Sequence, residues 1–553
     1  MSFVHLLSYK IFTIFDKILF VKTSFLSLFL LFSGLALQAQ SPTLGLLYKT
    51  ANVSDGYTLF TPTGSNNVFL IDNCGELVNE WKFGEMPGAV CYLLENGNLL
   101  RAGKDTIEIR DWDDSRVWHF ALNANLGVNQ HHDIEILPNG NILCLLTDNI
   151  SSSDMFDLGK DTVSVPGLIK LDRVIEIQPV GLDSAFIVWD WRFLDHLIQD
   201  FDSGKPGFGV IADYPELLDI NYPTFYTVDF THCNGIDYNA DLDQIMLSAR
   251  SLDEILIIDH STTTAEAAGH TGGNSNMGGD FLFRWGNPAV YQQGTSADRK
   301  LFIQHDPKWI PSNYLDGNKI SIYSNGGDSE GTNYSSAVII DPVINNGVYA
   351  KSSGKFLPLD YDWTWKGVIL GDTMREGKMS GLHTLPNGNF IVCETSKGQI
   401  SEISKAGVVE WVYKNPRGSN DFLQFEVIPA YENSMFRAEK YPSDYIGLQG
   451  KDLTGIELLE GTNAISDTCS LTTGIKGIDV FNIGIINPIK DGQVRFNEIV
   501  EFDRISIYDF QGKLVETRSN FYGQSFRIEL VDGLYILKLA QGTAVQSAKI
   551  IVH

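Results

Sequence analysis

The sequence is short of basic residues. Its 553 residues include 41 lysines and arginines against 68 aspartates and glutamates, which gives a formal net charge of −27 at pH 7. Nucleic-acid binding requires clustered lysine and arginine, so this composition argues against a nucleic-acid partner. We interpret the excess as a solvated acidic surface, and a site for an anionic ligand must then be a local group of cationic side chains.

Cysteine is also scarce, and its spacing excludes the common zinc motifs. The six cysteines form no CxxC pair and show no zinc-finger spacing. They are Cys74, Cys91, Cys144, Cys233, Cys393 and Cys469. Cys74 with Cys91 is the only candidate disulfide pair that is close in sequence, and buried free thiols are the alternative.

Long apolar runs are missing beyond the first 39 residues. No later stretch reaches the roughly 18 uninterrupted apolar residues of a membrane span, so we expect none in the mature protein. The first 39 residues carry Lys10, Lys17 and Lys22, then the apolar segment SFLSLFLLFSGLAL and the sequence LQAQ. This order is typical of a signal peptide that is cleaved after Ala39. We predict a signal peptide over residues 1–39 and export of the protein through the periplasm.

Two phrases recur along residues 40–470. An Asn-Gly turn lies between apolar runs in LLENGNLL (93–100), ILPNGNILCLL (136–146) and TLPNGNFIVCE (384–394), which indicates hairpins. An apolar strand with tryptophan ends each of six units. These tryptophans are Trp81, Trp118, Trp189 with Trp191, Trp285, Trp363 with Trp365, and Trp411. We predict an all-β fold in which residues 40–470 form a six-bladed β-propeller, the tryptophans pack between blades, and residues 193–222 are a partly helical insert.

The residue pattern of the sequence changes after about residue 470. NPIKDGQVRF, RISIYDFQGKLVETR, QSFRIELVDGLYILKLAQG and AKIIVH read as short strands between glycine turns. We predict a small β-sandwich over residues 471–553. This segment resembles the C-terminal sorting domain of the type IX secretion system of Bacteroidetes. The resemblance implies the secretion machinery as a partner, passage across the outer membrane, and release or attachment at the cell surface.

Histidine is rare too, yet it recurs at similar places in the repeats. His131 and His132 precede ILPNGNIL, His232 precedes IDYNADLDQIML, and His383 precedes LPNGNFIV. The first strand of a blade lines the central channel of a propeller, so we expect these residues to converge there. Because side chains alternate along a strand, only one of His131 and His132 is expected to face the channel.

Histidine and arginine together are suited to an anionic reactant. Imidazole can act as nucleophile, base or acid near neutral pH, and arginine offers a planar fork of donors to an oxyanion. Arg250 follows His232 in MLSARSLDEILIID, and His305 lies in FIQHDPKWIP.

These residues resemble the bacterial arylsulfotransferase family, the aryl-sulfate sulfotransferases. The resemblance covers most of residues 50–430 and is carried by HHDIEILPNGN, by HCNGIDYN followed by SAR, and by FRWGNPAVYQQG followed by LFIQHDPKWIP. Members are six-bladed propellers that move a sulfuryl group between phenols without a nucleotide sulfate donor, which implies a phenolic sulfate donor, a phenol acceptor and no cofactor.

The resemblance also implies roles for residues. His305 is implied as the nucleophile that is transiently sulfated, giving a ping-pong reaction. His232 and Arg250 are implied to bind the sulfuryl oxygens with help from Asn234, and one of His131 and His132 to bind sulfate or transfer a proton. Further candidates for substrate binding are His383 and Thr395. Some relatives carry a disulfide shortly after the nucleophile, but no cysteine lies between Cys233 and Cys393 here.

Two other functions remain open at this stage. Three histidines could bind a metal ion, although a cation would be repelled by Arg250, so we predict no metal ligands. A propeller with the same residues could also bind aryl or sulfated ligands without turnover, because the fold alone does not decide function.

Overall fold

The computed structural model describes residues 42–128, 130–161, 163, 167–224, 228–326, 334–461, 469, 489, 492–509, 513–531, 533–541 and 544–552. The chain forms two compact units, residues 1–465 and 466–553. The predicted signal peptide and the predicted boundary after residue 470 lie outside the described residues, so both stay predictions. No helix of the described residues is long and apolar enough to span a membrane.

Strands are the main regular structure of the described part of the first unit. In chain order they are β1 (Gly45–Lys49), β2 (Gly56–Pro62), β3 (Asn67–Ile71), β4 (Leu77–Lys82), β5 (Pro87–Leu93), β6 (Leu99–Gly103), β7 (Thr106–Arg110), β8 (Arg116–Ala121), β9 (Gln130–Ile136), β10 (Ile142–Ser151), β11 (Leu168–Val180), β12 (Ser184–Arg192), β13 (Leu197–Ile198), β14 (Leu218–Asp219), β15 (Cys233–Asn239), β16 (Gln244–Ala249), β17 (Glu254–Asp259), β18 (Phe283–Trp285), β19 (His305–Trp309), β20 (Ile320–Ser324), β21 (Ser336–Ile340), β22 (Ile344–Asn345), β23 (Val348–Tyr349), β24 (Lys351–Ser352), β25 (Lys355–Phe356), β26 (Trp363–Trp365), β27 (Val368–Ile369), β28 (Asp372–Thr373), β29 (Gly381–Thr384), β30 (Phe390–Glu394), β31 (Gln399–Ile403), β32 (Val409–Lys414) and β33 (Met435–Pro442). The described residues of this unit also form the short helices α1 (Leu122–Leu126), α2 (Ser152–Asp157) and α3 (Thr264–Ala267).

Most of these strands form six antiparallel sheets of four or five strands. In order from the inner strand outwards, the sheets are β33-β2-β3-β4, β5-β6-β7-β8, β9-β10-β11-β12, β15-β16-β17-β18, β19-β20-β21-β26 and β29-β30-β31-β32-β1. The inner strands contact one another in a closed ring, from β5 through β9, β15, β19, β29 and β33 back to β5. A ring of radial sheets is the architecture of a β-propeller, so the predicted fold class is confirmed.

Two strands from distant parts of the chain close the ring. The late strand β33 pairs with β2 and becomes the inner strand of the first sheet. The early strand β1 pairs with β32 on the outside of the last sheet. These two strand pairings therefore hold both ends of the first unit in the ring of sheets.

The recurring phrases of the sequence occupy equivalent places in the sheets. The tryptophans lie on the fourth strand from the centre, and Trp81, Trp191 and Trp411 are fully buried in the apolar core. The Asn-Gly turns join an inner strand to the second strand, with Gly97, Gly140 and Gly388 at positive φ near 80°. Glycine adopts this backbone conformation without a steric penalty, which explains the recurrence.

The insert over residues 193–222 is partly helical, with 3-10 helices at Phe193–Asp195 and Ile211–Asp213, and it also holds the parallel pair β13-β14. One expectation about the cysteines needs correction. The pairing of Cys74 with Cys91 is wrong, because Cys91 is a buried free thiol, as are Cys144, Cys233 and Cys393. Cys74 and Cys469 are each in a disulfide-bonded state.

The second unit is a small β domain. Its strands are β34 (Gln493–Asp509), β35 (Leu514–Arg527), β36 (Gly533–Gln541) and β37 (Ala544–Val552), in the antiparallel order β35-β34-β36-β37. Phe496, Phe502 and Phe526 are buried among the aliphatic side chains of its core. A predominantly β structure is what the alternating sequence predicts here.

Candidate active site

A cavity of about 370 Å³ lies where the inner strands begin. Most of its lining comes from the first residues of inner strands and from the loops that precede inner strands, and Thr63 and Arg250 directly follow β2 and β16. The lining residues are Thr63, Ala89, His132, Asp229, His232, Arg250, His305, Lys378, Met379 and Phe436. The structure thus brings together four of the five predicted catalytic residues at one wall, and His131 packs directly behind them.

His305 is held in one tautomer. Its Nδ1 lies 2.7 Å from Oδ1 of Asn325, and the amide nitrogen of Asn325 donates to the carbonyl of Met379 at 2.8 Å. The amide oxygen must therefore accept the proton of Nδ1. The opposite nitrogen, Nε2, then carries a lone pair and accepts the backbone N–H of Met379 at 3.1 Å.

The surroundings of His305 keep the imidazole neutral. The side chain is buried, and burial together with the positive charge of Arg250 holds the pKa of His305 well below the usual 6.5. A neutral imidazole with a lone pair on Nε2 is the form that can attack an electrophile.

Two other histidines each donate a proton to a carboxylate. Nδ1 of His232 lies 2.6 Å from Oδ2 of Asp229, and Nδ1 of His131 lies 2.6 Å from Oδ1 of Asp172. Asp172 also accepts the hydroxyl of Thr231 and the backbone N–H of Cys233. Burial alone would lower the pKa of His131, but the charge and hydrogen bond of Asp172 outweigh it and raise that pKa.

His131 and His132 lie on the same side, contrary to the alternation expected of a strand. Their ring centroids are 4.4 Å apart, and both lie about 5 Å from the ring of His232. His132 has a φ of 65°, which breaks the regular pleat at the start of β9. His132 lines the cavity and stacks on Phe436, whereas His131 supports it from behind.

His132 is surrounded by groups that favour its neutral form. Burial is the main cause, and the neighbouring His131, His232 and His305 add to it, so the pKa of His132 falls well below 6.5. A neutral imidazole that lines the cavity can accept a proton from a bound reactant.

Arg250 supplies the fixed positive charge of the cavity. It begins the 3-10 turn that follows β16, and its backbone N–H bonds the carbonyl of His232 at 3.3 Å. The residue is only 7% exposed. Lys378 adds a second cation at the exposed rim. In a chain of net charge −27 this is the local cationic group that an anionic ligand needs.

Asn234 and Thr395 do not line the cavity. Both side chains are fully buried. Asn234 donates to the carbonyl of Gln304, next to His305, and Thr395 bonds Ser380 and the carbonyl of Met435. They support the strands that carry the site, so their role in substrate binding stays a prediction.

His383 lies away from the other histidines, at a second cavity of about 710 Å³. Its Nδ1 pairs with Glu439 at 2.7 Å, which outweighs burial and raises the pKa of His383. Counted back from the shared LPNGN turn, His383 corresponds to Glu135 and not to His132. Glu135 lines the same second cavity. In the repeat, His383 is therefore three residues further along its strand than the position equivalent to His132.

Several residues of the site were not identified from sequence. Asn325, Met379, Phe436 and Asp229 contact the histidines but lie outside the repeated phrases. Only Asp229 carried a local signal, three residues before His232.

His131, His132 and His232 could together also hold a metal ion. One ligand atom from each of His131, His132 and His232 lies within 4.8 Å of the others. The Nδ1 atoms of His131 and His232 are already used by carboxylates, an arrangement that metal-binding histidines share with acid–base histidines. Arg250 beside them favours an anion.

Comparison with known proteins gives two family matches. Residues 67–339 match the arylsulfotransferase (ASST) model, and residues 487–553 match the model of the secretion system C-terminal sorting domain. The first match includes His131, His132, His232, Arg250 and His305. No curated protein matches the sequence significantly.

Solved structures resemble the chain only distantly. A protein of unknown function from Bacteroides caccae is 14% identical, covers 70% of this chain and 99% of its own, and has a TM-score of 0.36. A streptogramin B lyase is 10% identical, covers 74% of this chain and 95% of its own, and has a TM-score of 0.33. The Myceliophteria thermophila Cps50 (Swd1) β-propeller domain is 8% identical, covers 68% of this chain and 90% of its own, and has a TM-score of 0.34. Such distant likenesses say nothing about chemistry. By its two family matches, the chain combines an arylsulfotransferase domain with a secretion-system C-terminal sorting domain, which indicates secretion or cell-surface localisation.

Proposed function

We propose that the protein transfers a sulfuryl group from a phenolic sulfate ester to a phenol, by a ping-pong reaction through a sulfated His305. The observation that supports this most directly is the state of His305. Its proton is held on Nδ1 by Asn325, its pKa is lowered, and the residue lines a cavity together with Arg250 and His232.

The first half-reaction forms an N–S bond and breaks an S–O bond. Nε2 of neutral His305 attacks sulfur, and the phenolate leaves with the electron pair of the ester bond. Arg250 and His232 offset the charge on the sulfuryl oxygens. The N–H of Met379, which bonds Nε2 without substrate, is placed to bond a sulfuryl oxygen once Nε2 has reacted.

The second half-reaction reverses these bonds with a new phenol. His132 takes the proton of the acceptor hydroxyl, the phenolate oxygen attacks sulfur, and the electron pair of the N–S bond returns to Nε2 of His305. The proton on His132 then protonates the next leaving phenolate, so the cycle balances. Asp172, through His131, orients the pair of rings.

The test uses p-nitrophenyl sulfate with and without added phenol. Intact mass without acceptor should show one added sulfuryl group on the peptide that contains His305, and p-nitrophenol release should continue only with phenol. His305→Ala should lose both the adduct and transfer, while His383→Ala, at the other cavity, should keep both. Transfer by a folded His305→Ala protein would contradict the proposal.

The role of His132 has its own signature. In His132→Ala, release of p-nitrophenol should be less impaired than release of a more basic phenol, because a good leaving group needs no proton. An equal loss of release rate for both leaving groups would show that His132 does not transfer the proton.

The other two functions predict different outcomes. Loss of activity with a chelator, together with one equivalent of bound metal that is lost in the His232→Ala protein, would indicate a metal site formed by His131, His132 and His232. Sulfate or phenol binding without release or adduct, across a panel of aryl sulfates, would indicate a binding propeller.

A further inference from the structure

A second group of metal-ligating side chains lies outside the active site. His196, His270 and Asp280 each offer a ligand atom, and these atoms lie within 4.8 Å of one another. His196 follows the 3-10 turn after β12 at the start of the insert over residues 193–222. His270 and Asp280 lie in the loop between α3 and β18, far along the chain from His196.

The orientation of His196 leaves Nδ1 for a ligand bond. Nε2 lies 2.9 Å from the carbonyl of Ala267, the last residue of α3, and a carbonyl only accepts, so Nε2 carries the proton. In a neutral ring the lone pair is then on Nδ1. A histidine that donates one ring N–H to a backbone carbonyl and points the other nitrogen at a metal ion is the usual arrangement of a metal ligand.

The hydrogen-bonding states of His196 and Asp280 require a proton or a metal cation between them. Nδ1 of His196 lies 2.7 Å and Nδ1 of His270 lies 2.8 Å from the same oxygen of Asp280. His196 is fully buried and Asp280 is 5% exposed. Without a cation between them, the lone pair of His196 would face a carboxylate oxygen, so either a proton or a metal ion must lie there.

The ligand set and its exposure fit zinc. Zinc takes nitrogen from histidine and oxygen from carboxylate at about 2.0–2.2 Å, usually in a tetrahedron. Ligand atoms of such a tetrahedron are about 3.3 Å apart, so each Nδ1 must move about half an ångström away from the oxygen of Asp280. The side chain of His270 is 59% exposed, which allows its own ring to move and leaves a fourth position to water.

We propose that Nδ1 of His196, Nδ1 of His270 and the carboxylate of Asp280 bind one Zn²⁺ ion. The ion joins the insert that follows β12 to the loop before β18 and lies apart from the histidines of the active site. Its role is structural, because two segments distant in sequence and poor in regular structure are fastened at one point.

The test measures retained zinc in full-length mature protein. All variants carry His232→Ala, which removes the other possible zinc site. After treatment with EDTA, one equivalent of Zn²⁺ and gel filtration, elemental analysis should find one zinc per chain in His232→Ala. Adding His270→Ala should lower retained zinc at least about tenfold. Adding His119→Ala, which changes a half-buried histidine on β8, should not.

A second measurement separates metal binding from a folding defect. Zn²⁺ should raise the Tm of the EDTA-treated His232→Ala protein and leave that of His232→Ala with His270→Ala unchanged. Equal zinc in the two proteins would overturn the proposal. So would no retained zinc in His232→Ala, which would assign the group to a proton shared by imidazole and carboxylate.

Discussion

At the residue scale, the candidate nucleophile depends on a neighbour that is itself fixed. Asn325 can present only its oxygen to His305, because its amide nitrogen is used by the carbonyl of Met379. His132, His232 and Met379 have positive φ values of 65°, 44° and 53°. Side chains other than glycine rarely adopt this conformation, and such strain is often found at functional sites.

Replacing Asn325 tests whether the tautomer of His305 matters. In Asn325→Ala, Nδ1 loses its closer acceptor at 2.7 Å and keeps only the carbonyl of Ile303 at 3.1 Å. The proton is then held less firmly on Nδ1, and a proton on Nε2 would block the reactive lone pair. We expect the rate of the first half-reaction to fall by about 10²-fold, the order that a correctly held catalytic imidazole contributes. Single-turnover release of p-nitrophenol measures this rate, and Asn325→Asp, which keeps an acceptor, is the control. A change in KM alone would contradict this role.

The lowered pKa of His305 predicts the acid side of the pH profile. The neutral ring is the reactive form, so activity is present above the pKa of His305 and lost as pH falls through it. Because burial and Arg250 place that pKa well below 6.5, the first half-reaction should show no loss near pH 6.5 and should fall only at clearly lower pH. Asn325→Asp adds a negative charge and should move the loss to higher pH. A loss centred at 6.5 or above in the unchanged protein would contradict the assignment.

At the scale of the elements, the sequence could predict the strands and the residues that the family resemblance covers. The tryptophans and Asn-Gly turns mark the fourth strands and the inner hairpins because packing and turn geometry dictate those residue types. His383 was expected beside the other histidines because the repeats were aligned by their histidines. Aligning them by the shared LPNGN turn would have placed His383 opposite Glu135. The alternation argument at His131 failed because φ at His132 is positive. Asn325 and Met379 reach the site only through the ring of sheets, which no local pattern records.

One arginine joins five of the six inner strands. Arg437 on β33 pairs with Asp133 on β9 at 2.7 Å and approaches Asp306 on β19 at 3.0 Å, close enough for an ion pair though not aligned as a hydrogen bond. It also donates to Tyr92 on β5 and to the carbonyl of Asn234 on β15. The guanidinium is buried, and its two acids keep it charged by raising its pKa against the effect of burial.

Removing Arg437 should destabilise the first unit strongly. Arg437→Met leaves the carboxylates of Asp133 and Asp306 buried without their cation, and breaking such a pair costs about 3–5 kcal/mol. Urea unfolding monitored by tryptophan fluorescence measures the loss. Lys205→Ala, which removes a pair with the exposed Asp157, should cost no more than about 1 kcal/mol. Equal losses for the two variants would show that Arg437 has no such role.

At the scale of the whole molecule, the first unit is complete only when β33 returns to the first sheet. β33 pairs with β2 along most of its length and supplies both Phe436 in the active-site cavity and Arg437 in the channel. The order of the chain therefore makes the site depend on its last inner strand. The earlier sheets hold His132, His232 and His305 but leave the ring open.

Truncation on either side of β33 tests this dependence. A protein of residues 42–470 keeps the ring and should retain p-nitrophenyl sulfate turnover in the presence of phenol. A protein of residues 42–434 lacks β33, exposes the edge of β2 and leaves Asp133 and Asp306 without Arg437, so it should aggregate or unfold and lose turnover. Turnover, size-exclusion chromatography and the cooperativity of thermal unfolding measure the difference. A soluble, active protein ending at residue 434 would contradict the closure of the ring by β33, whereas an inactive but cooperatively folded protein of residues 42–470 would show that the site needs residues of the second unit.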